Sequence, residues 1–113
     1  MKSERTYRFW EYCVSHNQML FRSPKSEKYS TNHDIVFVGV IYSDVETMIK
    51  GVELRSATEK EMKNIRARLD DNIVSEDVFI LESSNRINIV VAAAMKSLEN
   101  EMDIFDSSLE KFS

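Results

Sequence analysis

The chain has 113 residues, a net charge of −4 and an apolar fraction of 42%, which suits one domain around one contiguous core. Two glycines and one proline leave no material for a long flexible linker or a glycine-rich phosphate cradle. No apolar run approaches the roughly 18 residues of a membrane span, no signal-peptide pattern precedes Tyr7, and Cys13 as the single cysteine excludes an internal disulfide. The expectation is one domain over residues 1–113, held in the cytoplasm.

Charge is divided unevenly along the chain. Residues 1–57 carry eight Lys/Arg against seven Asp/Glu, whereas residues 58–113 carry seven against twelve. The acidic excess gathers at Glu99, Glu101, Asp103, Asp106 and Glu110, which repels a nucleic-acid backbone.

In chain order, residues 5–14 alternate as a strand, with Tyr7, Phe9 and Cys13 on one face and Arg8, Trp10, Tyr12 and Val14 on the other. Ser15-His16-Asn17 supplies a tight turn into a second strand, Gln18 to Arg22, and Pro24 stops the ladder. The product is a hairpin. Residues 23–34 are polar and read as the one long loop. Ile35 to Tyr42 is β-branched and apolar on both faces, so it predicts a central strand, with Gly39 marking a bulge or a close backbone approach.

Val45, Met48 and Ile49 suit a short helical turn, and Val52-Glu53-Leu54 a short strand. Thr58-Glu59-Lys60-Glu61 is a capping box. Behind it Met62, Ile65 and Leu69 form one apolar stripe, predicting a helix near 58–70. Asp77 to Glu82 reads as a strand, Ser83-Ser84-Asn85 as a turn, and Arg86 to about Ala93 as its partner strand. Beyond it, Ala92 to Met102 has the composition of a C-terminal helix, but the β-branched residues before it leave strand, helix and irregular chain open over 92–105.

The fold class expected is therefore α+β: a mainly antiparallel sheet of five or six strands, curled toward a half-barrel, with one firm helix. Several strands are apolar on both faces, and one helix cannot cover both. The sheet must curl on itself, be covered by the C-terminal segment, or meet a second copy.

Catalytic signatures of the common kinds are absent, so no catalytic residue and no cofactor are assigned. Cys13 and His16, with His33 and Asp34, have the residue types of a zinc site, but a second closely spaced Cys or His pair is missing, and no metal is assigned. The residues singled out are Trp10, Tyr12, His16 and Arg22. They combine aromatic surface with a guanidinium on the first hairpin, the composition of interaction hot spots. The reading they favour is a small non-enzymatic protein-binding or regulatory module of the inhibitor or immunity type. It would bind a basic protein steered by the acidic C-terminal stretch, or a second copy of itself. The alternative is a small-molecule pocket or an enzymatic half-barrel beside the first hairpin, with Arg22 as the anion anchor. Nucleic acid and membrane are not expected partners.

Overall fold

A computed structural model describes residues 1–84 and 86–109. Eight strands form one antiparallel sheet: β1 (Lys2–Cys13), β2 (Gln18–Ser23), β3 (Asn32–Val38), β4 (Tyr42–Asp44), β5 (Met48–Ser56), β6 (Val78–Glu82), β7 (Ile87–Val91) and β8 (Ala94–Asn100). Their spatial order is β4-β7-β6-β5-β1-β2-β3-β8. The helix α1 spans Glu59–Arg68, and among the described residues no helix is long and apolar enough to cross a membrane.

The expected count of five or six strands is corrected to eight, in one sheet with β4 and β8 at its ends rather than a half-barrel. The strands beyond six are β4, whose Tyr42 is expected at the end of the Ile35–Tyr42 strand, and β8; β5 is longer than the short strand expected at Val52–Leu54. Residues 45–49 give no helical turn, because Met48–Ser56 is one strand pairing with β1 on one side and β6 on the other. Residues 94–100 form no C-terminal helix, because β3 offers an open edge that β8 fills over seven registered pairs, Asn32↔Asn100 to Val38↔Ala94. A ladder of that length overrides helix propensity. The polar loop is shorter than expected, since β3 already begins at Asn32. Of the Ser83-Ser84-Asn85 turn, Asn85 lies outside the described residues, and Ser83 N–H donates to the Arg86 carbonyl at 3.0 Å.

The faces of the sheet are set by its irregularities. In β1 the register shifts between Phe9 and Glu11, and such a bulge reverses the alternation beyond it. Tyr7 and Phe9 therefore belong to the inner core, whereas Cys13 packs with Trp10, Leu20 and Val36 on the outer face. The expectation that Cys13 shares a face with Tyr7 and Phe9 is corrected by that one residue. Gly51, at φ +67°, accompanies a second shift in the β1–β5 ladder.

Gly39 lies at φ +68° just past β3, and a Cβ there would stand 3.0 Å from the Ala93 Cβ. The close approach read from the sequence is real. It occurs where the chain turns from β3 toward β4 and passes the corner between β7 and β8, where Ala93 N–H donates to the Val38 carbonyl at 2.9 Å.

Three layers of packing follow. The inner cluster joins Tyr7, Met19, Phe21, Ile35, Phe37, Ile49, Leu81 and Val90. Phe37 on β3 and Phe79 on β6 have ring centroids 5.5 Å apart, although three strands separate them in the sheet order. Flat strands spaced about 4.8 Å apart would hold them roughly 19 Å apart, so the twisted sheet brings these two side chains together across its inner face. Outside β6 and β7, α1 covers Val78, Ile80 and Val91 with Met62 and Ile65. Outside β2 and β3, Leu109 covers Leu20 and Val36. Thr58 caps α1 as expected: its side chain accepts from the Glu61 N–H while the Glu61 carboxylate accepts from the Thr58 N–H.

Candidate functional site

Every residue of β2 is buried, because this strand lies between β1 and β3 with both faces covered. That placement decides what Arg22 can do. Its guanidinium is enclosed on the outer face and donates from Nε to Asp34 Oδ1 at 2.7 Å and from Nη2 to Asp34 Oδ2 at 2.9 Å. Nη1 donates to the Asp106 carbonyl at 2.8 Å. Arg22 is 1% and Asp34 0% exposed. Burial works to raise the Asp34 carboxyl, but hydrogen bonds from Arg22 and Asn100 outweigh it and hold the group below the ordinary carboxylate range. The fork is committed within the chain, so it is not presented as an anchor for a free anion.

The C-terminal segment 101–109 is fastened to this network. Asn32 Nδ2 donates to the Met102 carbonyl at 2.9 Å, Lys25 Nζ to the Glu101 carbonyl at 2.7 Å, and Asp106 N–H closes a turn onto the Asp103 carbonyl at 2.9 Å. With Leu109 buried at its end, the segment is a strap pinned at several points. Its turn carries Ile104 and Phe105 outward, 61% and 93% exposed. Asp103 and Asp106 flank them, and Glu101 lies just upstream; all three carboxylates are exposed. Glu110, the last acid of that stretch, is outside the described residues.

A cleft of about 260 Å³ opens between the strap and the first hairpin, lined by Trp10, Arg22, Pro24, Lys25, Met102 and Ile104 among others. The Arg22 guanidinium sits 5.4 Å from the Trp10 ring centroid, within reach of a cation–π contact. Two of the four residues singled out from the sequence, Trp10 and Arg22, therefore meet in one concavity.

Tyr12 and His16 are not among that cleft's lining residues. The Tyr12 hydroxyl donates to Asn17 Oδ1 at 3.4 Å near the turn. His16 belongs to a small cluster on the turn itself, with Nδ1 3.0 Å from Ser15 Oγ and 3.6 Å from Cys13 Sγ. Hydrogen bonding from Ser15, then from His16, lowers the Cys13 thiol below its usual value. The zinc-type set Cys13, His16, His33 and Asp34 is not assembled: His33 bonds to Tyr7 and Ser97, and Asp34 to Arg22. Among the described residues no three His, Cys, Asp or Glu side chains are grouped to hold a metal ion.

Sequence reasoning missed the strap as a structural element, and with it Ile104 and Phe105. The signal available was two adjacent large apolar residues bracketed by Asp103 and Asp106. No family model, no curated protein and no solved structure matches this chain.

Proposed function

We propose that this chain is a protein-binding module whose contact face is the strap turn at Ile104–Phe105, together with the cleft beside Trp10. The observation that carries the reading is the near-complete exposure of Phe105 on a turn fixed by the backbone hydrogen bonds of its strap. A large aromatic held rigidly in water gains by burial elsewhere and loses little conformational entropy in doing so. Trp10, Pro24 and Met102 continue the apolar surface into the cleft. The rim is acidic, through Glu101, Asp103 and Asp106, and suits a basic partner surface with an apolar recess. One face of the sheet packs in the inner cluster and the other lies under α1 and the strap, which accounts for the two-faced strands within one chain. A second copy is therefore not required for the core, although it remains one partner that the turn could engage.

The test uses the whole chain as bait beside the variant Phe105→Ser, at about 50 mM and 300 mM salt. Any recovered protein is then purified and titrated against both chains. The expected result is a partner bound at least tenfold more weakly by Phe105→Ser, as for a hot-spot aromatic, with affinity falling as salt rises. Sizing chromatography over a range of concentrations shows whether that partner is a second copy. Recovery of nothing beyond a bead control, or equal affinity for both chains, refutes the reading.

A further inference from the structure

A second group of side chains, on the inner face and away from the strap cleft, forms a continuous polar chain across three strands. Ser97 Oγ on β8 lies 2.7 Å from His33 Nε2 on β3. The other ring nitrogen, Nδ1, is hydrogen-bonded to the Tyr7 hydroxyl on β1, with the two rings edge to face at 5.4 Å. The Tyr7 hydroxyl in turn donates to Ser3 Oγ at 3.1 Å. With the Tyr7 proton directed to Ser3, the tautomer that satisfies the chain has its imidazole N–H on Nδ1 facing Tyr7, leaving Nε2 as an acceptor. The Ser97 hydroxyl has two acceptors in reach, Nε2 at 2.7 Å and the weaker Met1 Sδ at 3.9 Å.

The order is that of an activated hydroxyl: a nucleophile, a base within hydrogen-bond reach, and a third group that fixes the base's tautomer and orientation. Tyr7 is buried and Ser97 exposed, so the orienting end is locked in the core while the reacting end faces solvent. Arg5 and Tyr7 on β1, Glu99 on β8 and Asp34 beside it on β3 are the charged or titratable groups around His33. Burial, then Arg5, keeps its ring neutral to lower pH than usual, against the opposing pull of Glu99 and Asp34. A neutral ring is the form that a base requires.

We propose that Ser97 is a nucleophile toward small activated acyl esters, with His33 as its general base and Tyr7 as the positioning residue of His33. In the acyl-transfer step Ser97 Oγ bonds to the ester carbonyl carbon and its proton passes to His33 Nε2. The carbon–oxygen bond to the leaving alcohol breaks, and the alcohol takes that proton from His33 or departs as its anion while His33 releases the proton to solvent. Water then attacks the acyl-serine, with His33 accepting a proton from the water and returning it to Ser97, releasing the carboxylic acid.

The probe is p-nitrophenyl acetate on the full chain, read by p-nitrophenolate release and by peptide mapping of the acetyl group. The expected result is acetyl on Ser97, absent in Ser97→Ala. His33→Gln should slow its formation by about 100-fold, the usual scale for a positioned base. Tyr7→Phe should slow it less and should move the rising limb of the pH profile to lower pH, because the imidazolium loses the oxygen that accepts its Nδ1 proton. A merely structural Tyr7 would leave that midpoint in place. Ser97 is exposed, so Ser97→Ala tests the proposal without disturbing the core. Acetylation confined to lysines, Cys13 or the N-terminus overturns the assignment, as does an unchanged release rate in Ser97→Ala.

Discussion

Asp34→Asn would remove the charge that faces Arg22 while keeping nearly the same volume, and its cost follows from the geometry. The guanidinium makes two bonds to this carboxylate, at 2.7 and 2.9 Å, and neither partner has meaningful contact with water. Two unit charges about 4 Å apart interact by roughly 4 kcal/mol at an effective dielectric near 20. An amide in place of the carboxylate also turns an N–H₂ toward one of the Arg22 donors. Breaking a buried pair in this way costs about 3–5 kcal/mol, a large share of the ~5–15 kcal/mol that holds a typical domain together. The double variant Arg22→Met/Asp34→Leu removes both charges and their desolvation. It should recover more than half of that loss, less about 1 kcal/mol for the hydrogen bond from Arg22 to the Asp106 carbonyl. Urea unfolding at pH 7, with equal slopes in all three chains, provides the measurement. The pH dependence has a fixed sign. Asp34 is held below the ordinary carboxylate range when folded, so its contribution is complete above that range and is lost as pH falls through the lower folded value. The wild type should therefore lose stability on acidification more steeply than Asp34→Asn does. A single-variant cost under about 1 kcal/mol, or a double variant no better than the single, would refute the reasoning.

Two further outcomes rest on other parts of the molecule. Gly39→Ala should destabilise more than Gly51→Ala: both carry a left-handed φ costing ~1–2 kcal/mol for a residue with a Cβ, but only Gly39 would also press on the Ala93 Cβ at 3.0 Å, whereas Gly51 has the Ser3 carbonyl at 3.8 Å. Equal unfolding midpoints would show that the Gly39–Ala93 corner relaxes freely. Cys13 should be alkylated by iodoacetamide at pH 7 faster than a free thiol, and Ser15→Ala and His16→Ala should each slow it, because hydrogen bonds from these two residues lower the thiol. A rate unaltered in both variants would count against the cluster.

Much of the fold was legible because local and global signals agree. The hairpin of β1 and β2, the β-branched core of β3, the capping box of α1 and the β6–β7 pair all appear where the residues place them. What was not legible depends on partners distant in sequence. Ala94 to Asn100 is a strand only because β3 has an edge to fill, and nothing within those residues reports that edge. The face of Cys13 turns on one extra residue in β1, and a bulge leaves no mark when Trp10 and its neighbours are all compatible with a strand. Arg22 was singled out as an anion anchor from composition alone. Asp34, twelve residues on, directly faces it across the β2–β3 ladder, and that pairing turns a candidate anchor into an internal tie.

Adjacent residues on β3 show how far face assignment governs chemistry here. His33 and Asp34 look like neighbours suited to a common site, but strand alternation sends them to opposite sides of the sheet. Asp34 joins Arg22, Asn100 and the strap on the outside, where everything it touches is structural. His33 joins Tyr7 and Ser97 on the inside, at a position where one member of the set is open to solvent. A one-residue slip of β3 against β2 and β8 would exchange these surroundings, placing a carboxylate beside Tyr7 and an imidazole beside a buried guanidinium. The slip would leave the Arg22 guanidinium buried without its carboxylate, so the Arg22–Asp34 pair specifies register as well as contributing to the strap's attachment. The register that serves the outer tie is also the one that assembles the inner chain of hydroxyl, imidazole and phenol.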